Sequence, residues 1–383
     1  MMICSTCKGK GMYGLPHCPV MKRFHTQVRT APRQEFMGSS PSLFIGSHGY
    51  PRVTGGPLMI NDADNPPSWV ASGLGIDDIV DIRARTIRGI SQVTSYLPAL
   101  QELAISSIPL DVEVLFTRPV SFDLTFDGTV APVGLSGDLA KMKVIDNPRI
   151  EPSVDRVTSD TDLGAMGACS ELHQSGIDVY QISRLMSGGL IGRRRKVVPT
   201  RWSITAVDDS VSSALKQKIA RYTPIDHIRV FSHVLYANRI VVVLLPGDWR
   251  YEMIERWQAQ SLWSGETDSI TVDREGMKKK GYSPISGAYY SARLAVAEYL
   301  DATRQCARVI VIRSVSADYW APLGTWVIRE ATRGAMKQPG ISCETVDEAV
   351  TRAGMASGFP GWEGYSTLLP EIRTQRTLFD FRP

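Results

Sequence analysis

The sequence predicts a mixed α/β (α+β) protein, a two-part globular body with a small N-terminal zinc-binding module and a flexible C-terminal tail. Three observations predict it. Apolar and polar residues alternate from Asp111 to Val144, the period of strands, and Arg229 to Leu245 reads as a β-hairpin. Helix-length stretches rich in Ala, Leu and Tyr, above all Ala288 to Arg304, lie beyond them. Cysteine, histidine, glycine and lysine crowd the first 27 residues, a composition suited to a metal cluster rather than an apolar core. The expected divisions are 1–27 for the Cys/His module, 28–265 and 266–372 for two mixed α/β regions, and 373–383 for the tail.

The elements follow in order. Pro41 to Pro67 is rich in Pro, Ser and Gly, whose turn chemistry breaks long periodicity. Within it, Gly46-Ser-His-Gly-Tyr-Pro-Arg52 and Gly55-Gly-Pro57 read as a turn cluster, with a weaker reading as backbone N–H groups around an anion. A helix is expected from Asp77 to Arg88, with Asp77 and Asp78 opening it, Ile79, Ile82 and Ile87 along one side and Gly89 stopping it. A second runs from about Ser91 to Leu103, kinked at Pro98. Val112, Val114 and Phe116, then Phe122, Leu124 and Phe126, alternate on strands that turn at Asp127-Gly128. Asn147 to Asp162 reads as a surface connection and Ile177 to Met186 as a helix.

A hairpin joins Val230–Tyr236 to Ile240–Leu245 through Ala237-Asn238. Trp249 to Gln260 reads as a helix, and the polar stretch Ser264 to Pro284, with Lys278, Lys279 and Lys280, as a loop or boundary. Ala307 to Ser314 is a strand, and Trp326 to Lys337 and Val346 to Met355 are helices. The loop Asp318 to Gly324 follows that strand, where pockets of α/β units often lie, although Trp320 is better suited to a core. His227 and His233 stand singly and read as structural.

Composition narrows the function classes. A chain of 383 residues leaves room for two or three domains at roughly 100–200 residues each. With 43% hydrophobic and 21% charged residues, general disorder is excluded. The net charge of +4 permits contact with nucleic acid without demanding it. The longest apolar run, Ile240 to Leu245, is strand-length, far short of the ~18 residues that a membrane-spanning helix requires. No apolar signal region opens the chain. Of the cysteines, Cys4, Cys7 and Cys18 crowd the start, whereas Cys169, Cys306 and Cys343 are scattered. That usage predicts a metal cluster plus buried thiols in a reducing, cytoplasmic compartment.

The sharpest chemical pattern is Cys4-x-x-Cys7 followed by His17-Cys18. A CxxC turn aims two thiolates at one ion, and a second pair of ligands completes a tetrahedron, so structural zinc is expected. Neighbouring residues do not chelate easily together, and His25 competes with His17 for the fourth position. No HExxH-type pattern accompanies them.

A second pattern is cationic: Arg193, Arg194, Arg195, Lys196, then Arg201 and Trp202, with no acidic residue from Gly192 to Val207. Guanidinium groups fork onto phosphates and an indole stacks on a base, which suits DNA or a nucleotide phosphate. A solvated charge run, or internal pairing with Asp208 and Asp209, accounts for the same residues. Asp208 and Asp209 also offer carboxylates to a divalent metal for nuclease chemistry.

The chain ends Gln375-Arg-Thr-Leu378-Phe379-Asp-Phe381-Arg382-Pro383. Gln, an aliphatic residue three later and an aromatic three after that resemble the PIP box, the peptide that docks on sliding clamps. One tight turn brings Leu378 and Phe381 to one side as apolar plugs, with Gln375 beside them for polar contacts. The usual motif closes on two aromatics. Here the second is Arg382, and Phe379 adds an apolar contact.

Together these features resemble the archaeal Nre family of DNA-repair proteins over most of the chain. The segments that carry the resemblance are Ser42 to Val53, Ile79 to Gly89, Gly192 to Ser203 and Tyr319 to Gly324, with the cysteine module and the clamp tail. The family pattern leads one to expect a further cysteine near Tyr13, and its absence leaves His17 or His25 as substitute. The resemblance makes 28–265 the N-terminal and 266–372 the C-terminal Nre region, and implies repair of DNA damage with the sliding clamp (PCNA) as partner. It supplies no reaction. Three readings stand: a clamp-recruited repair protein touching DNA through Arg193 to Arg201, a metal-dependent nuclease or nucleotide-processing enzyme, and a clamp adaptor without a DNA surface.

Overall fold

The computed structural model describes residues 33–60, 64–120 and 134–374. They form two compact units, 33–211 with 321–323, and 212–320 with 324–374. The mixed α/β class is observed in both.

The first unit opens with strands β1 (Arg33–Ser40), β2 (Ser42–Ile45) and β3 (Thr54–Met59). Helices α1 (Pro66–Ala71) and α2 (Ile76–Arg85) lead into β4 (Ile87–Gln92). Then come α3 (Leu97–Ile105), β5 (Leu110–Val120) and β6 (Leu135–Val144). Three helices follow: α4 (Pro152–Ser159), α5 (Ala165–Gln174) and α6 (Val179–Ser187). The six strands form one sheet in the order β1-β5-β6-β4-β3-β2. Its outermost strands, β1 and β2, are separated in sequence by Pro41 alone. The sheet therefore has to roll. Ile60 donates its N–H to Ser39 O (3.0 Å) and Ser40 Oγ donates to Leu58 O (2.9 Å), joining β1 to the end of β3. Phe36, Leu43, Ile45, Val112, Val114, Phe116 and Leu139 share the resulting core with Leu100 and Leu103 of α3. Between β3 and β4 the backbones nearly touch, because a Cβ on Gly56 would lie 2.1 Å from Gly89 O.

Helix α7 (Thr200–Ile219) runs through the point at which the units divide. The second unit contains β7 (Thr223–Pro224), β8 (Ile228–Leu235), β9 (Asn238–Leu245), β10 (Arg250–Trp257) and β11 (Ser269–Glu275). Next are α8 (Gly287–Thr303), β12 (Gln305–Cys306), β13 (Arg308–Val315) and α9 (Trp326–Met336). The unit closes with β14 (Ile341–Cys343), α10 (Val346–Ser357) and α11 (Leu368–Thr374). Its main sheet has the order β11-β10-β13-β9-β8-β14, with β10 and β13 parallel and the other pairs antiparallel. One face places Val241, Val243, Ile254, Ile310 and Ile312 against Ala349 and Ala353 of α10 and Leu368 and Leu369 of α11. Covered on both faces, β9 and β13 are almost continuously apolar, as buried strands are.

Buried charges in this unit are paired. Glu275 accepts from Lys216 Nζ (2.8 Å) and Arg293 Nη1 (2.7 Å), while Arg293 Nη2 also donates to Ser212 Oγ (2.9 Å). Glu252 accepts the N–H groups of Thr367 (2.8 Å) and Leu368 (3.1 Å) and so fixes the entry to α11.

Several expectations are corrected. Trp249 to Gln260 is not a helix but contains β10. Its buried Glu252 and Glu255 break the apolar run, and Tyr251 and Ile254, three apart, imitate a helical face. The polar stretch after Ser264 holds β11, paired along β10, so residues 258–268 connect two strands of one sheet. Helix α2 ends at Arg85 because β4 takes over from Ile87, and Pro98 starts α3 instead of kinking it. The expected turn cluster from Gly46 to Pro57 includes β3, paired with β2. Asn147 to Asp162 includes α4, and α7 was not legible. The hairpin β8–β9, the strand β13 and helices α8, α9 and α10 match their expected positions. The Asp127-Gly128 turn lies outside the described residues. No helix among the described residues is long and apolar enough to cross a membrane.

Cys169, Cys306 and Cys343 are free and buried, as their scatter predicts. Burial pushes the Cys169 thiol up to about 12 and raises those of Cys306 and Cys343. A thiol held protonated is a poor nucleophile. With Cys4, Cys7 and Cys18 replaced by Ser, Ellman's reagent at mildly alkaline pH is expected to modify no thiol until denaturant is added. For the buried charge cluster, Arg293→Met strips one partner from Glu275. It is expected to destabilise the second unit by about 3–5 kcal/mol, read as an earlier urea transition.

Candidate nucleic-acid interface

The cationic segment begins where α6 ends. Gly188 and Gly189 turn the chain, and Gly189 sits at φ +69° with its α-carbon against the returning backbone. A Cβ there would lie 2.9 Å from the carbonyl carbon of Lys196 and 3.0 Å from Val197 N. Only glycine fits that conformation and that approach. Gln101 Nε2 donates to Gly188 O (3.0 Å) and Val198 N to Ser187 O (3.2 Å), which fastens both ends of the turn.

Inside this loop the four cations part company. Arg195, at φ +46°, donates through Nη1 to Leu190 O and through Nη2 to Asp160 O (2.7 Å). It pins the loop to the start of the α4–α5 connection. Arg193 Nε donates to Asp162 O (2.8 Å) and stays exposed. Arg194, Lys196 and Arg201 are exposed, and among the described residues none of them makes an ion pair.

Helix α7 begins directly after this loop, and its first turn is held from two sides. Thr200 Oγ1 accepts the N–H of Ile45 at the end of β2 (2.9 Å), and Ser203 Oγ lies 2.6 Å from Ser187 Oγ. Trp202 thereby stands beside Tyr50 of the β2–β3 loop, ring centroids 5.2 Å apart and planes at 60°. Trp202 is 45% and Tyr50 42% exposed, so the pair shields itself only in part. Arg52 and His48 of the same loop are also exposed. The result is five exposed cations, Arg52, Arg193, Arg194, Lys196 and Arg201, in the two segments that carry the aromatic pair, at the end of a helix whose dipole is positive.

Nearby, Arg88 of β4 lies over the Phe44 ring of β2 (5.2 Å). Of the four segments on which the family resemblance rests, Ser42 to Val53 thus contacts two others, Ile79 to Gly89 and Gly192 to Ser203. The family model described as archaeal Nre, N-terminal, matches residues 12–264, and that described as archaeal Nre, C-terminal, matches 275–381. The chain belongs to the archaeal Nre family. DNA repair protein NreA of Archaeoglobus fulgidus is 37% identical over 368 residues, covering 91% of this chain and 92% of the relative. DNA repair protein NreB of the same organism is 33% identical and covers 99% and 100%. NreA of Haloferax volcanii is 34% identical and covers 82% and 80%. No solved structure matches. The two family models part between 264 and 275, across the end of the β10–β11 connection and β11 itself, whereas the compact units part within α7.

The remaining sequence-derived candidates fall as follows. Cys4, Cys7, His17, Cys18 and His25, and the tail residues Gln375, Leu378, Phe379 and Phe381, lie outside the described residues. Asp208 is fully buried and Asp209 half-buried on α7. Among the described residues no group of three His, Cys, Asp or Glu is placed to hold a metal ion. Tyr319 and Trp320 are buried, as a core role requires. His227 accepts at Nε2 from Arg229 (2.9 Å) and pairs with Asp226, and His233 packs against Gly334 with its basicity lowered by burial. Tyr50 and Arg52 are the residues that sequence reading missed as partners of the cationic segment, because nothing in one sequence links that loop to α7.

Gly189→Ala is expected to loosen the cationic loop and to cost about 1–3 kcal/mol through the strained φ and the overpacked return. Limited trypsin digestion checks it: cleavage after Arg193 to Lys196 accelerates relative to wild type, while cleavage within the second unit does not.

Proposed function

We propose that this chain is a DNA-damage repair protein that holds DNA phosphates with Arg193, Arg194, Lys196 and Arg201, aided by Arg52. Arg195 positions the loop from inside. The observation that carries the reading is the set of exposed cations left without acidic partners on a pinned loop and helix start. A structure that wanted only solubility would not anchor such residues so closely. The relatives' printed names, DNA repair protein NreA and NreB, support the same reading.

Two further parts complete the proposal. The sliding clamp (PCNA) recruits the protein through Gln375, Leu378, Phe379 and Phe381, on the strength of their PIP-like spacing. A structural zinc ion sits on Cys4, Cys7 and Cys18 with His17 or His25 as the fourth ligand, on the strength of the CxxC spacing and the donor types. The buried position of Asp208 gives no support to a nuclease centre there.

Binding of labelled duplex DNA by fluorescence anisotropy across a salt series tests the central claim. Replacing Arg194, Lys196 and Arg201 together by Ala is expected to lower the slope of log K against log salt by about 2–3, since each duplex phosphate contact contributes roughly 0.9. An unchanged slope and affinity would remove the cationic segment from the interface. Calorimetric titration of the clamp, with and without residues 375–383, reads the recruitment separately.

A further inference from the structure

The phosphate-binding reading gives Trp202 no role. Its geometry argues for one. Trp202 and Tyr50 meet at 60°, so the two rings are not stacked face to face, and each remains nearly half exposed. Aromatic faces left open to water on a monomer gain nothing by being there. Both segments that carry them are also held in place: Thr200 and Ser203, on either side of Arg201 and Trp202, are hydrogen-bonded to Ile45 and Ser187, and the loop of Tyr50 is closed by Gly46 N to Thr54 O (2.8 Å) and Arg52 N to Gly49 O (2.9 Å). A rigid platform costs little ordering entropy when something docks on it. The cations lie in the same two segments, Arg52 beside Tyr50, and Arg193 to Arg201 before Trp202.

Duplex DNA does not present base faces. They are stacked within the helix, and a protein sees only their edges in the grooves. An unpaired strand does present them, and successive bases stack on aromatic side chains while cations follow the backbone. An open aromatic pair flanked by unpaired cations therefore has the chemistry of a single-strand site. Resting on the DNA-binding reading above, we propose that the Tyr50–Trp202 pair is a base-stacking platform that makes this surface selective for unpaired DNA over duplex. The cations supply affinity for any phosphate backbone. The two rings supply the discrimination.

The test uses the full-length protein with labelled oligo(dT) and with a blunt hairpin duplex of equal nucleotide number, each titrated across a salt series. The single strand is expected to bind tighter. Trp202→Ala and Tyr50→Ala should each weaken single-strand binding roughly tenfold, the fold-change of one lost base stack, with duplex binding and the salt slope unchanged. Trp202→Phe should restore most of the loss. Arg194→Ala should instead weaken both substrates and lower the salt slope. Since both rings are surface residues, an unchanged melting temperature shows that each variant is folded. If Trp202→Ala and Tyr50→Ala leave both substrates unaffected, or weaken them equally, the platform is refuted while the phosphate-binding surface stands. If the wild-type protein binds neither substrate even at low salt, the DNA-binding reading itself falls, and the platform with it.

Discussion

The cationic surface depends on one missing side chain. At Gly189 the chain turns with a positive φ and its α-carbon rests against the backbone of Arg195 to Val197. Because the segment returns on itself so tightly, one of its arginines has to lie inside the turn. Arg195 does so with its two Nη groups donating to the carbonyls of Leu190 and Asp160, while its buried Nε has no hydrogen-bond partner. Its neighbours Arg194 and Lys196 are then left outside. A run of four cations is thereby divided by function: one braces the loop and three face solvent.

The rolled sheet of the first unit provides the other half of the surface. Joining β1 to β2 through Pro41 alone forces the sheet to curl, and the β2–β3 connection then projects from its rim. Ile45, at the end of β2, gives its N–H to Thr200. A backbone group that would have been orphaned at a strand end is satisfied by the first residue of α7, and the loop carrying Tyr50 is brought to the helix carrying Trp202. The hydrogen bond at the strand end and the contact between the rings thus join the same two segments.

How much of this was legible varies with physical cause. The β8–β9 hairpin stands out in the sequence through the apolar run of β9 next to a turn, and helices α8 to α10 through helix-length stretches rich in apolar helix formers. Strand β10 does not, because a strand buried on both faces is expected to be apolar throughout, and Glu252 and Glu255 interrupt it. Both carboxylates have partners far away in sequence: Glu252 at Thr367 and Leu368, and Glu255 at Arg313. Helix α7 is hidden by its Ser, Thr and Asp content and by a narrow apolar stripe of Val207, Val211 and Leu215. The cations were legible as a group, since composition suffices for that. Which of them turns inward was not, because the answer lies in the carbonyls of a different segment. The Tyr50–Trp202 contact is invisible for the same reason.

Charge is used in two different ways in this chain. In the second, buried charges are placed against one another: Glu275 between Lys216 and Arg293, Glu255 against Arg313. The Glu255–Arg313 pair sums to zero, while Glu275 with its two cations keeps a net charge of +1 inside the unit. On the first unit's surface Arg194, Lys196 and Arg201 have no ion-pair partner among the described residues, and their field extends into water over roughly a Debye length, ~8 Å at physiological salt. The net charge of +4 is therefore a poor guide to what an approaching polyanion meets. What matters is which charges are already spent on internal partners. By that criterion a nearly neutral chain presents unpaired cations to solvent, beside the two most exposed aromatic residues among the described residues of the same unit.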